Sequence, residues 1–317
     1  MSTREALEPT FFGWLASRFP THLVPRSEFL KAVWRVLFYV LRPRRPFVMR
    51  TPHYRLVVYP DRTSLSRSVI RRCNWEPLQT AVILTLIDPG TVFIDGGANF
   101  GHYALAASPA LGPGGKVVAF EPHRTAFAEL ECNVNLQKLK NIQIENAALN
   151  DRSGPVRFYS DLLNPGGHSF AAANLWAGSS WEIANAVVLD EFLAAAAFRR
   201  RVGFIKSDCQ GAEPNVLRGA SHTLARDRPY LALEYWPKGI AGCGEDRQEM
   251  LGRLARHRYR PFRLDEARGV IVAVSYERLE VEPSPDSVAH FDLLMIPEER
   301  VETASTRLAG LLGRPLE

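Results

Sequence analysis

Cysteine is scarce in this sequence of 317 residues, and none of its four cysteines forms a CxxC pair or lies near histidines at the spacing of a zinc site. Isolated thiols of this kind are typical of a reducing compartment. The sequence therefore argues against a disulfide scaffold and against structural zinc, and we expect a cytoplasmic protein without a bound metal. The opening residues, MSTREALEPTFFGWL, include acids and lack the long apolar core of a secretory signal.

Long apolar runs are also missing. The strongest candidate, residues 27–46 (SEFLKAVWRVLFYVLRPRRP), is interrupted by Lys31 and Arg35 and is too short for a spanning helix of ~20 apolar residues. Arranged as a helix, its basic residues would form one narrow stripe on an otherwise apolar surface. Such a helix either lies in a membrane interface or packs on the rest of the protein or on a partner chain.

Positive charge is concentrated at one end of the chain. The net charge is +5, and residues 1–50 alone hold nine Lys/Arg against three Glu, so the remainder is close to neutral. A nucleic-acid enzyme more often carries its basic surface beside its active site. We therefore expect a small molecule or a glycan as substrate and no nucleic acid, and any peripheral membrane contact would be made by residues 27–46.

From about residue 75 onward, short apolar runs alternate with helical stretches. The runs lie at 91–95, 116–122, 142–149, 156–160, 202–208, 230–236 and 291–297. Continuously apolar strands that alternate with helices indicate a largely parallel sheet covered on both faces. We expect a doubly wound, Rossmann-like α/β domain over residues 75–300, a helical N-terminal extension over 1–74 and a C-terminal tail over 301–317.

The first of these strands runs into the segment DGGANFG, residues 95–101. In such sheets ligands bind beyond the carboxyl ends of the strands, and glycines let the backbone approach a ligand closely. Loop amides would suit a dinucleotide pyrophosphate, but a carboxylate from Asp95 at the lip of the site would repel it. S-adenosylmethionine has no phosphate and carries a sulfonium and an ammonium, so Asp95 favours this cofactor. The alternative role for Asp95 is to cap a turn.

Glu121 ends the second strand and lies twenty residues after Gly101. A carboxylate at this place accepts hydrogen bonds from the two hydroxyls of a ribose. Because S-adenosylmethionine and the nicotinamide dinucleotides both contain ribose, this spacing does not separate them. The alternative for Glu121 is a strand end that faces solvent.

Four segments, FIDGGANFGHYAL, VVAFEPHRTAFAELECNVNLQ, NAAL and FIKSDCQGAEPNVLRGA, occur in the order of the FkbM-type family of S-adenosylmethionine-dependent methyltransferases, which residues 90–236 resemble. The resemblance implies a class I methyltransferase fold of seven strands with an antiparallel last strand. It also implies methyl transfer, commonly to an oxygen of a sugar or small metabolite. The cofactor residues that it implies are Asp95, Gly97, Asn99 and Gly101 around the methionine part, Glu121 at the ribose, and Asn146 or Ala147 at the adenine.

The sequence departs from the family pattern in the segment IKSDCQGAE. Ser207, Cys209 and Gln210 replace the residues that are common there, whereas Lys206, Asp208, Gly211 and Glu213 remain. The cofactor assignment does not depend on these positions. Because Gln210 stands where the family commonly has a carboxylate, this segment does not identify the residues that contact the substrate.

Methyl transfer to a hydroxyl needs positioning of donor and acceptor and benefits from a general base. Asp208, at the end of the fourth parallel strand, is the first candidate. Glu213 at the next helix start, Glu234 at the end of the fifth strand and His168 in the loop NPGGHSF are the others. Each of these three has an ordinary alternative: an acid at a helix N-terminus, an exposed strand end and a loop histidine without a catalytic role.

The main hypothesis is an S-adenosylmethionine-dependent O-methyltransferase acting on a sugar, a glycolipid or a natural product. Trp176, Trp181 and Trp236 are candidates to line a sugar pocket or to pack in the core. The sequence leaves three other hypotheses open: an N-methyltransferase, a nicotinamide-dependent oxidoreductase and a catalytically silent scaffold.

Overall fold

The computed structural model describes residues 46–59, 75–161, 168–175, 179–196, 199–284, 287–313 and 316. The strands are β1 (Phe47–Arg50), β2 (Arg55–Val58), β3 (Val92–Gly96), β4 (Lys116–Phe120), β5 (Ile142–Glu145), β6 (Ala148–Asn150), β7 (Gly154–Asp161), β8 (Ser179–Val188), β9 (Val202–Ser207), β10 (Tyr230–Tyr235), β11 (Tyr259–Asp265), β12 (Val270–Ala273) and β13 (Phe291–Pro297). The α-helices are α1 (Pro77–Leu86), α2 (His102–Ala110), α3 (Arg124–Gln137), α4 (Leu189–Ala195), α5 (Glu213–Gly219), α6 (Ser221–Asp227), α7 (Pro237–Gly242), α8 (Arg247–Arg256), α9 (Tyr276–Val281) and α10 (Val301–Leu312).

The largest sheet has eight strands in the order β12-β11-β13-β10-β9-β3-β4-β5. The five strands from β10 to β5 run parallel. Strand β13 lies between β10 and β11 and is antiparallel to both. The predicted doubly wound fold with an antiparallel last strand is therefore confirmed. Six of the seven predicted apolar runs contribute strands to this sheet, whereas the run at 156–160 forms β7 in another sheet. The structure adds β11 and β12, which pair with each other at the edge.

Strand β11 was not predicted because its sequence, YRPFRLD, is not a continuous apolar run. Arg260 and Arg263 are exposed and interrupt its buried residues. Tyr259 and Phe262 are buried in different core clusters, so both faces of the strand are covered. A search for uninterrupted apolar runs finds the central strands and misses strands of this kind.

The run at residues 142–149 was predicted as one strand, and this prediction is wrong. The chain forms β5 in the large sheet and then β6 in a separate sheet of order β6-β8-β7. The break falls at Asn146 and Ala147. The Asn146 side-chain amide donates to the carbonyls of Glu121 and Pro122, and this polar anchor ends β5 beside the end of β4.

The core lies on both faces of the large sheet. Phe93, Phe204 and Tyr230 belong to one buried cluster, whereas their sequence neighbours Ile94, Ile205 and Leu231 belong to a second. Successive residues of a strand point to opposite faces, so each central strand contributes to both clusters. The ends of these strands are thereby fixed at one edge of the sheet.

Residues on either side of the predicted domain join the same core. In the β1–β2 hairpin, Phe47, Met49 and Leu56 are buried in one cluster with α1 and α2, and Leu308 of α10 is buried there too. The predicted amphipathic helix at 27–46 lies outside the described residues except for Pro46, and the domain boundaries stay a prediction. Within the described part of the chain, no helix combines the length and the apolar character needed to cross a membrane.

Candidate active site

The glycine loop connects β3 to α2 and approaches the neighbouring strand end closely. Gly97 has a φ of +70°, and a Cβ on it would lie 2.0 Å from the carbonyl oxygen of Asp208. Only glycine fits such a contact in this left-handed conformation. The loop amides of Gly97 and Ala98 donate to the carbonyl of Phe120 at 3.1 and 2.9 Å. The loop is therefore held between β4 and the segment that follows β9.

Asp95 is completely buried beneath this loop. Its Oδ2 accepts from the Ala104 amide at 2.9 Å, which fixes the first turn of α2. Burial raises the pKa of Asp95 to about 6, although the Lys206 ammonium opposes the shift. The carboxylate is thus not at the lip of the site, where the sequence led us to expect it. A direct contact with the cofactor stays a prediction.

Lys206 is the cation that accompanies Asp95 inside the protein. Its Nζ lies 3.8 Å from Asp95 Oδ1 and 3.7 Å from Asp208 Oδ2 and donates to the Gly97 carbonyl at 3.2 Å. Burial lowers the pKa of Lys206, but the two carboxylates outweigh it and the net shift is upward. One ammonium therefore connects the glycine loop, its buried aspartate and the end of β9.

Glu121 is buried at the end of β4 and holds the loop from the other side. Its two oxygens accept from the amides of Asn99 at 2.7 Å and His123 at 2.9 Å. Burial raises the pKa of Glu121 to about 7, and these two amides only partly offset it. The carboxyl lines a cavity beyond the strand ends, which is where a ribose-binding acid is needed.

His102 begins α2 and connects the N-terminal hairpin to the site. Its Nδ1 lies 2.5 Å from the Tyr54 hydroxyl and its Nε2 lies 2.7 Å from the Thr80 hydroxyl. Burial lowers the pKa of His102 to about 3, so the ring is neutral at physiological pH. This side chain has a structural role at the wall of the cavity.

The cavity has a volume of about 420 Å³ and opens beyond the carboxyl ends of the parallel strands. It brings together six of the eleven predicted site residues. These are Gly97, Asn99, Glu121, His168, Asp208 and Glu234. Their assembly at one place agrees with the rule that ligands of such sheets bind at this edge.

The other five predicted residues do not line the cavity in the described structure. Asp95 and Gly101 support the loop, and Asn146 and Ala147 lie at the break between β5 and β6. Glu213 is completely buried, and its oxygens accept from the amides of Cys209 at 2.6 Å and Gly211 at 3.0 Å. Its observed contacts thus hold the turn before α5, and a catalytic role for Glu213 stays a prediction.

Asp208 and Glu234 are bridged by a single amide. Gln210 Nε2 lies 3.1 Å from Asp208 Oδ1 and 3.1 and 3.2 Å from the two oxygens of Glu234. Asp208 is 37% exposed, whereas Glu234 is 6% exposed. Burial, followed by the charge of Asp208, raises the pKa of Glu234 well above its usual value. Asp208 is therefore the more accessible acid of the two.

His168 and two tryptophans complete the predicted set. The His168 ring stacks on His123 with a centroid separation of 4.0 Å and lines the cavity. Trp236 also lines it. Trp181 is 59% exposed on β8 and stacks under Arg157, and Trp176 lies outside the described residues.

Sequence reasoning missed two acids of this cavity. Glu76 accepts from the Tyr103 hydroxyl, and burial raises its pKa to about 7. Asp292 lies in β13, and burial followed by the charge of Glu76 raises its pKa well above the usual value. An acid inside the apolar run FDLLMIP was the available signal for Asp292. Within the described residues, no group of three or more His, Cys, Asp or Glu side chains is arranged to hold a metal ion.

The lining suits a cationic cofactor better than a dinucleotide. Its described side chains include five carboxylates, one lysine and no arginine, and the lysine already faces two of the chain's own carboxylates. Burial raises the pKa of four of these acids, but a bound cation favours their ionised form, so a sulfonium and an ammonium would be attracted. A pyrophosphate would meet only the lysine as a Lys or Arg partner among the described lining residues. The donor set therefore fits S-adenosylmethionine.

Comparison with solved structures found low similarity to several methyltransferases. The methyltransferase FkbM of Methylobacillus flagellatus KT is 13% identical, with a TM-score of 0.40 over 72% of this chain and 52% of that one. An O-methyltransferase of Bacillus cereus in complex with SAH is 12% identical, with a TM-score of 0.36 over 86% and 93%. An rRNA methylase of Streptococcus thermophilus is 10% identical, with a TM-score of 0.37 over 69% and 94%. Likenesses this low do not bear on function.

No curated protein matched the chain, and the chain spans about half the length of the M. flagellatus protein. A family model described as "Methyltransferase FkbM domain" matches residues 95–261. This match includes the glycine loop, Glu121, Asp208 and Glu234. It covers more than half of the 317 residues and confirms the predicted family, and the chain therefore belongs to the FkbM methyltransferase family.

Proposed function

We propose that the chain transfers the methyl group of S-adenosylmethionine to a hydroxyl oxygen of a small molecule or glycan. The observation that supports this most is the placement of Asp208. This accessible carboxylate lies at the end of β9, on the same cavity as the glycine loop and Glu121. This arrangement supports the proposal, because a proton acceptor would lie beside the edge proposed to bind the cofactor.

The residues that would hold the cofactor follow from the lining. Glu121 would accept from the ribose hydroxyls, while Asn99 and Gly97 form the loop next to it. Asn146, which anchors the end of β5, would lie toward the adenine. When bound, S-adenosylmethionine supplies an electrophilic methyl group on a positively charged sulfur.

Asp208 would act as the general base and take the proton of the acceptor hydroxyl as the oxygen is methylated. The Lys206 ammonium at 3.7 Å and the Gln210 amide at 3.1 Å stabilise negative charge on this carboxylate. Both partners also limit its rotation, so the base is held in place for the acceptor. Positioning of this kind contributes a large part of the rate in displacement reactions.

The experiment uses S-adenosylmethionine with a labelled methyl group and fractionated metabolites of the host. We expect label to appear in one or a few hydroxyl compounds and to be lost with the Asp208→Asn variant, which should still bind S-adenosylhomocysteine. Glu298→Gln, on a surface carboxylate that pairs with Arg258, is the matched control and should label normally. Label on a nitrogen would replace the proposal by N-methylation, and no label in any fraction would contradict it.

A further inference from the structure

Two carboxyl groups face each other in the wall of the cavity. Their strands are separated from the glycine loop's strand, β3, by at least one other strand of the sheet. Glu234 of β10 and Asp292 of β13 are direct partners in the antiparallel register, and both line the cavity. Like charges directly opposite on neighbouring strands destabilise a sheet. Such a pair needs a compensating charge or a proton, and a bound ligand is able to supply the charge.

The protein supplies little compensation of its own. Lys206 is the one lysine among the described lining residues, no arginine is among them, and its ion pairs are with Asp95 and Asp208. Among the described residues, the hydrogen-bond donor to Glu234 is the uncharged amide of Gln210. Glu76 adds a further acid to the lining and accepts from the hydroxyl of Tyr103. His168 and His290 also line the cavity, but no ion pair joins a cation to Glu234 or Asp292 among the described residues.

The second observation is a hydrogen-bond donor, the indole N–H of Trp236. Trp236 lines the same cavity, is only 8% exposed, and its buried indole N–H has no hydrogen-bond partner in the described structure. A buried donor without a partner costs about 1–3 kcal/mol. The nitrogen itself is buried, so a ligand oxygen would satisfy it only after a small shift of the ring. Trp236 follows Glu234 by two residues, so both residues lie at the carboxyl end of β10.

We propose that the methyl acceptor is a cationic amino alcohol, such as an amino sugar, whose ammonium is bound by Glu234 and Asp292 and whose oxygen accepts from Trp236. This inference rests on the proposed function, because it assigns the acceptor to the same cavity. Carboxylates and aromatic side chains together are the usual means of holding an organic ammonium. When ionised, the same carboxylates would repel a phosphate group placed between them.

The test measures binding of three matched probes, D-glucosamine, N-acetyl-D-glucosamine and D-glucuronate, to the full chain saturated with S-adenosylhomocysteine. Saturation-transfer NMR detects binding in the millimolar range. We expect glucosamine to bind at least tenfold more tightly than its neutral acetylated form, with glucuronate weakest. Glu234→Gln and Asp292→Asn should each reduce this preference at least threefold. Trp236→Phe should weaken the binding of glucosamine and of N-acetylglucosamine alike. The control variant Glu298→Gln should leave all three affinities unchanged.

Equal affinity for the three probes, a preference for glucuronate, or no binding of any probe would overturn the inference. The cofactor's own positive charge is the competing explanation for these carboxylates. We expect Glu234→Gln and Asp292→Asn to keep the affinities for S-adenosylmethionine and S-adenosylhomocysteine within twofold. A tenfold loss for S-adenosylmethionine with an unchanged glucosamine preference would assign the two acids to the cofactor and overturn the proposal. Failure of the proposed function is separate, since it shows as no transfer of labelled methyl to a hydroxyl compound, whereas this test measures binding.

Discussion

Glu234 and Asp292 lie directly opposite each other on antiparallel strands, and both carboxyls face one cavity. Neither has a cation of the described structure within ion-pair distance. Burial raises the pKa of both well above the usual range. A proton can compensate this pair in the free protein, and under our proposal the ammonium of the acceptor replaces it.

The first prediction concerns stability against pH. An acid whose pKa is raised in the folded state stabilises the folded protein fully at pH values below its unfolded pKa. This contribution is lost as the pH rises through the folded pKa. Glu234→Gln removes this loss, so we expect the variant to gain about 1 kcal/mol, or a Tm rise of about 2–4 °C, at pH 8 and almost nothing at pH 5. Thermal unfolding followed by circular dichroism measures this. Glu298→Gln should show no gain at pH 8, and an equal gain for Glu234→Gln at both pH values would contradict the argument.

The second prediction concerns cofactor affinity against pH. Because burial raises the pKa of Glu121 to about 7, a fall in pH protonates the group that would accept from the ribose hydroxyls. We expect the Kd for S-adenosylhomocysteine to rise roughly tenfold between pH 8 and pH 6. Calorimetry should find weaker and pH-independent binding for Glu121→Gln. Glu76→Gln should keep the pH dependence, and a flat profile for the unmutated chain would refute the assignment of Glu121.

The third prediction concerns the buried ion pair. Lys206→Met leaves the Asp95 carboxylate without its cation, so we expect the free energy of unfolding to fall by about 3 kcal/mol at pH 8. Because the pKa of Asp95 is already raised to about 6, protonation should make the loss smaller at pH 5. The double variant Lys206→Met with Asp95→Asn should recover part of the stability at pH 8. Denaturant unfolding checks this, and a double variant less stable than Lys206→Met would count against the pairing.

The fourth prediction separates steric fit from backbone strain in the glycine loop. Gly97 and Gly90 have similar φ values of +70° and +78°, but an added Cβ meets the Asp208 carbonyl at 2.0 Å only at Gly97. Both alanine variants should lose about 1–2 kcal/mol from the left-handed conformation. Gly97→Ala should also weaken S-adenosylhomocysteine binding at least tenfold, whereas Gly90→Ala should bind normally. Equal affinities in the two variants would mean that this contact does not shape the site.

The cofactor side of the site was more predictable from the sequence than the acceptor side. Gly97, Asn99 and Glu121 lie in two contiguous segments whose place at the strand ends follows from apolar runs and spacing alone. Glu76 and Asp292 come from distant parts of the chain and line one cavity only in the folded protein. The insertion of β13 beside β10 brings Asp292 there, whereas Glu76 immediately precedes α1. Local sequence does not show that the two positions share a cavity, so both acids were missed.

Asp95 shows a second limit of sequence reasoning. Its position after an apolar run was correctly predicted, but the sequence pattern is the same for a carboxylate exposed at the site and for one buried beneath it. The deciding partner is Lys206, which lies 3.8 Å away on the parallel strand β9. A lysine in an apolar strand needs such a partner, because an unpaired buried charge is costly.

The most direct test of the account is a calorimetric titration of the full chain with S-adenosylmethionine and, separately, with NAD. The carboxylate lining predicts saturable binding of S-adenosylmethionine, weakened by Glu121→Ala, and no binding of NAD at the same concentrations. Tighter binding of NAD, or binding of S-adenosylmethionine that Glu121→Ala leaves unchanged, would contradict it.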